Sequence, residues 1–192
     1  MTRELPLFPL ATVLFPGGPL SLRIFEPRYL DMVATVLRGD NRFGVVAIRS
    51  GSEVGEAETF GVGTTAEIVD WEDGGGLLSI KAVGRESFTL EASSRRPDGL
   101  YVGRAALLDE PPETPLPLEH ARLKSLLETL LKQLPVYAGI ATAYDDAVWV
   151  GARLAEILPF TVVLKQSLLE TRDPLARLDK IAAALSSQVS SA

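Results

Sequence analysis

Cysteine is absent from the chain, which removes disulfide staples, thiolate nucleophiles and thiolate metal ligands together. A cysteine-free chain suits a reducing compartment, and a cytoplasmic location is the expectation. Histidine occurs once, as His120, so the usual zinc patterns lack material. Positive charge is in deficit: 19 Lys and Arg face 25 Asp and Glu, for a net charge of −6. Nucleic-acid binding draws on a basic surface that displaces counterions from phosphate, and this balance opposes it. Anionic membrane surfaces are disfavoured for the same reason.

A long hydrophobic run is also missing, although the N-terminus imitates one. Leu5 to Leu22 carries no charge, a length that suggests a spanning helix. Pro6, Pro9, Pro16 and Pro19 break it, each at about 3 kcal/mol in a helix interior. Glu4 stands where an export signal carries positive charge, and no small-x-small cleavage site follows. Neither anchor nor signal is expected.

What is present is globular: 192 residues, 46% hydrophobic and 23% charged, enough for one large domain or two small ones. The first half reads as strands. In LSLRI, Leu20, Leu22 and Ile24 alternate with Ser21 and Arg23, the period of a half-buried strand. LLSIKAV, SFTLEAS (Phe88, Leu90 and Ala92 on one face), FGVVAIR, TTAEIVDW and YVGRAALL continue the series between glycine-rich or charged breaks. Short strands punctuated by turns indicate a barrel or sandwich. One helix interrupts them: EPRYLDMVATVLRGD has Pro27 at a first helical position and Gly39 past the end. Tyr29, Leu30, Val33, Val36 and Leu37 share a side, so this helix is expected to lie across the sheet as a lid.

Pro111, Pro112, Pro115 and Pro117 then form a stiff connector. Beyond it the period becomes helical, with Leu123, Leu126, Leu127, Leu130, Leu131 and Leu134 on one face. YDDAVWVGARLAEILP is apolar nearly all round, and DPLARLDKIAAAL opens with an Asp cap and Pro174 in the first turn.

Catalytic sets fail one by one. A Ser-His-Asp triad would have to use His120, yet no serine occupies a strand-turn-helix G-x-S-x-G setting; His120 reads as a solvated helix-end residue. Asp145 and Asp146 stand where a helix begins and read as caps. Gly61-x-Gly63 lacks the rest of a nucleotide loop and reads as close backbone approach or a bulge. No metal site and no cofactor site are expected.

LPLFPLATVLFPGGPLSLRIFEPRYLDMV resembles the opening of the amino-terminal, substrate-binding domain of Lon proteases. The likeness continues through FGVVAIRSGSEVGEAETFGVGTTAEIVDWEDGGGLLSIKAVGRESF and resumes at LAEILPFTVVLKQSLLETRDPLARLDKI. The Phe-Pro-Gly turn, Ile-Phe-Glu-Pro-Arg-Tyr, the Gly-Val-Gly-Thr strand and Lys-Gln-x-Leu-Leu-Glu are specific as a set. The resemblance implies an α+β fold: an N-terminal PUA-like β pseudo-barrel with a covering helix, then a C-terminal helical bundle. The expected division is 1–110 for the barrel, 118–192 for the bundle and 111–117 for the connector.

In Lon this region serves substrate recognition, while separate modules hydrolyse ATP and cut peptide bonds with a Ser-Lys dyad. G-x-x-x-x-G-K-[ST] does not occur here, so the resemblance implies a stand-alone, non-catalytic module that binds polypeptide or a protein partner. Candidate groove residues are Phe15, Pro16, Phe25, Arg28, Tyr29 and Trp149, with core packing the competing role for the aromatics. A structural ion pair or helix-start role competes for Glu26 and Arg28. Two other readings follow from the family. RNA binding, known among PUA-like barrels, is opposed by the charge, and a hydrolase is opposed by the missing catalytic set.

Overall fold

The computed structural model describes residues 2–53, 55–75 and 77–189. The chain divides after Asp109 into two compact units.

The first unit is a closed sheet. Its strands are β1 (Thr2–Leu10), β2 (Pro19–Ile24), β3 (Arg42–Gly51), β4 (Ala57–Asp73), β5 (Leu78–Arg95) and β6 (Tyr101–Leu107), with helix α1 (Pro27–Val36) between β2 and β3. They run in the order β2-β5-β4-β3-β1-β6, and β6 also pairs with β5. That last pairing joins β1, β3, β4, β5 and β6 into a ring. β2 hangs on the first half of β5, from Pro19 opposite Val83 to Ile24 opposite Leu78.

β1 is a strand that periodicity does not announce, because Pro6 and Pro9 interrupt it. It pairs antiparallel with β6 through Thr2–Leu7 and parallel with β3 through Leu7–Leu10. Each proline therefore has a partner strand on one flank only, and its missing donor leaves no ladder broken on both sides. LLSIKAV and SFTLEAS, expected as two strands, form the single strand β5, which passes from β2 to β6 along its length. A register shift between Leu90 and Ala92 turns Ala92 outward, against the expected alternation.

Glycines let the ring close tightly. A Cβ on Gly63 would stand 2.4 Å from the Val45 carbonyl oxygen and 2.6 Å from the Phe88 ring, whereas at Gly61 the space is open. Of this pair, Gly63 is the site of close approach, while Gly61 lies in the bulge of β4 against β3, where the register shifts between Gly63 and Thr59. Phe88 fills the small core with Leu5, Leu7, Val46 and Ala105. The larger core lies under α1, where Tyr29, Met32, Val33 and Val36 meet Phe8, Phe43, Ile68 and Ile80. Phe8 and Tyr29 stack with ring centroids 4.0 Å apart. The helix covers the sheet as its apolar face requires.

The second unit contains α2 (Ala121–Leu131), α3 (Ala147–Ile157), α4 (Val162–Glu170) and α5 (Pro174–Val189). Asp146 caps α3: its Oδ1 accepts from the backbone N–H of Val148 and of Thr114, each at 3.0 Å. Asp145 pairs with Lys124 at 2.6 Å. α4 has no periodicity of its own to betray it, and its clearest local signal is Thr161, whose hydroxyl accepts from Leu164 N–H. Around α3, Tyr137 donates to Glu156 (2.9 Å) and Lys165 donates to the Glu156 carbonyl (2.7 Å). Burial pushes the Glu156 carboxyl above its ordinary range, with Arg153 at 3.1 Å pulling the other way. Among the described residues no helix is long and apolar enough to cross a membrane.

Candidate functional site

The Phe15-Pro16-Gly17-Gly18 turn is bound into the barrel. Gly17 N–H donates to the Gly84 carbonyl (2.8 Å), and Gly84 N–H returns a bond to Gly18 (2.9 Å). Gly17 takes a positive φ of 74°, which glycine adopts without strain. Phe15 is 0% exposed, so it packs in the interior and is withdrawn from the candidate groove. Pro16 is half-buried on the same turn.

The corner from Phe25 to Tyr29 is different. β2 ends at Ile24, Pro27 starts α1, and the bend between them leaves Phe25 64% exposed. Tyr29 points the other way into the core, and burial, against the neighbouring Arg28 charge, pushes its hydroxyl up to about 12. Arg28 is 9% exposed and knits the corner together. Its Nη1 donates to the Gly99 carbonyl (3.0 Å), its Nη2 to the Glu53 carbonyl (3.3 Å), and Glu26 Oε2 lies 2.7 Å from Nη2. The guanidinium also sits 4.6 Å from the Tyr29 ring centre. The expected Glu26–Arg28 ion pair is present. The Nε of Arg28 is buried without an acceptor among the described residues.

Three clefts run around this corner and share walls. One of about 120 Å³ lies among Leu10, Leu22, Phe25, Glu26 and Tyr29. A second of about 320 Å³ shares Glu26 with it and continues past Arg28, Arg95 and Asp98. A third of about 240 Å³ shares Arg28 and Asp98 with the second, and is lined by Glu4, Asp31, Met32, Leu100 and Val102 among others. These adjoining clefts, linked by shared walls, form a furrow in three parts around the start of α1. Of the candidates, Phe25, Arg28 and Tyr29 line it. Trp149 belongs to α3 of the second unit, half-buried and edge to face with Tyr144 at 5.2 Å. The acidic lining residues Glu4, Asp31 and Asp98 come from separate segments, and no local motif in the sequence joins them.

Elsewhere the chemistry is spare. His120, expected as a solvated helix-end residue, is instead 6% exposed, with its Nε2 3.3 Å from Asp179 Oδ1. The helical packing around it draws the ring inside. Among the described residues no group of three or more His, Asp or Glu side chains could hold a metal ion.

The closed barrel with its covering helix, followed by a helical unit, defines an α+β protein of the pseudo-barrel class. The chain belongs to the family of Lon substrate-binding domains: the model of the ATP-dependent protease La (LON) substrate-binding domain matches residues 4–187. The Lon N-terminal domain protein from Xanthomonas campestris superposes with a TM-score of 0.80 at 36% identity, covering 94% of this chain and 98% of that one. The N-terminal domain of the Mycobacterium avium complex Lon protease shares the fold, with a TM-score of 0.62 at 16% identity over 93% of this chain and 96% of that one. Protein cereblon from Xenopus tropicalis is 31% identical over 134 residues, 67% of this chain and 29% of that protein. Lon protease 2 from Myxococcus xanthus is 27% identical over 184 residues, 91% of this chain and 22% of that protein. The chain thus spans less than a third of the curated relatives it matches.

Proposed function

We propose that the barrel unit binds extended polypeptide, either unfolded chain or an exposed segment of a protein partner, along the furrow around α1, without catalysing a reaction itself. The observation that carries this reading is the furrow with the exposed Phe25 on its wall, in a chain of the substrate-binding family. An exposed aromatic beside an apolar cleft is a strong contact point for a partner side chain. The barrel's guanidinium groups favour polypeptide over RNA: Arg42, Arg49, Arg85, Arg95 and Arg104 each pair with a glutamate on the barrel itself. Such self-neutralised charge releases few phosphate counterions.

Fluorescence anisotropy with labelled extended peptides tests it. Peptides bearing phenylalanine or leucine are expected to bind, and Phe25→Ala to weaken them about tenfold, the cost of one good apolar anchor. No binding by any peptide would overturn the reading.

A further inference from the structure

The third cleft differs from its neighbours in how charge is arranged over its floor. Met32, Val36, Leu100, Val102 and Pro6 supply an apolar base. Glu4, Asp31 and Asp98 stand over it. Against these three carboxylates stands Arg96, exposed on the rim and loosely paired with Glu4 at 3.7 Å, which leaves the rim acidic in balance. Arg28 adds little net charge because Glu26 answers it at 2.7 Å. Asp98 is partly committed, accepting from the Leu100 N–H at 2.9 Å. Asp31 is exposed, and its carboxylate makes no ion pair among the described residues.

An apolar floor beneath an acidic rim fits a side chain with a hydrocarbon stem and a cationic head. A second feature concerns backbone. Arg28, nine-tenths buried, lines this cleft and the adjoining one, and its Nε donor has no acceptor. A buried donor left unsatisfied is costly, and a small shift at the start of α1 that uncovers this Nε would let it take a backbone carbonyl from a bound segment.

Resting on the polypeptide reading above, we infer that this cleft is a subsite for a lysine or arginine side chain of the bound segment, its stem on Met32 and Leu100 and its head between Asp31 and Glu4. The furrow therefore selects segments that join an apolar residue to a basic one, with the apolar residue at Phe25.

The test uses the full chain and short labelled peptides carrying a phenylalanine and, at varied spacing from it, a lysine, a norleucine or a glutamate. Norleucine keeps the stem and removes the head. Lysine peptides are expected to bind about tenfold more tightly than norleucine ones at low salt, the scale of one charge-assisted hydrogen bond, with glutamate peptides weakest. Raising the salt should shrink the lysine advantage. The Asp31→Asn, Glu4→Gln double variant should lose that advantage while binding norleucine peptides as before, and Asp31→Lys should favour glutamate peptides. Equal binding of lysine and norleucine peptides, or a lysine preference that survives in the folded double variant, would overturn the subsite and leave polypeptide binding standing. Spermidine displacing the lysine peptides at matched concentration would make the cleft a receptor for free polyamines and overturn the peptide assignment. Failure of every peptide series would remove the polypeptide reading itself, and the subsite with it.

Discussion

Phe15 and Phe25 lie on either side of β2 and share a side chain, yet they do opposite work. Phe15 is sealed inside by the exchange of hydrogen bonds between Gly17, Gly18 and Gly84. Phe15→Ala is expected to cost about 3–5 kcal/mol, as large-to-small changes in a core do, read as a lowered urea midpoint. Phe25→Ser should leave the unfolding free energy within about 0.5 kcal/mol of the parent, because the side chain is mostly in water already. Gly84 is the hinge of the difference: a Cβ there would meet the Phe15 carbonyl oxygen at 2.2 Å. Gly84→Ala should therefore destabilise by about 1–3 kcal/mol through overpacking, although alanine suits a strand better than glycine. The local sequence already leans this way: Phe15 lies in the uncharged run, while Phe25 follows Ser21 and Arg23 on the outward alternation of β2 and is flanked by Arg23, Glu26 and Arg28. The partner that buries Phe15 lies far along the chain on β5.

Elements with an undisturbed period were legible, and those with a mixed signal were not. β2 shows its alternation directly, with Leu20, Leu22 and Ile24 toward the core and Ser21 and Arg23 exposed. α3 declared itself through its Asp146 cap and nearly continuous apolar content. Asp146→Ala should cost about 1–2 kcal/mol, since one carboxylate oxygen serves both Val148 and Thr114. β1 was hidden by its prolines and α4 by its even spread of apolar residues. The furrow was half legible: Phe25 and Arg28 could be named from the sequence, but Glu4, Asp31 and Asp98 meet only once the sheet has closed.

The outer surface of β3, β4 and β5 adds a pH dependence at this scale. Arg85, and then Arg42, hydrogen-bond Glu67 at 3.1 Å each and hold its carboxyl below the ordinary range. A carboxyl with a lowered folded pKa contributes stability above its unfolded value, near 4.5, and loses it as pH falls through the folded one. The urea midpoint of the parent should therefore drop more steeply below about pH 4.5 than that of Glu67→Gln.

Across the whole chain, the barrel unit ties off its own sheet, for β6 meets both β1 and β5 before the chain passes Asp109. A fragment ending at Asp109 is expected to unfold in a single cooperative urea transition, followed by circular dichroism. The pairing of β1 with β6 also sets a clock. On a ribosome β1 emerges first, while its antiparallel partner begins at Tyr101. At about 5–20 residues per second, Leu5 and Leu7 wait on the order of 5–20 s before their cover exists. During that interval the N-terminal segment is itself an exposed, apolar stretch of polypeptide, the kind of ligand proposed above for the finished barrel.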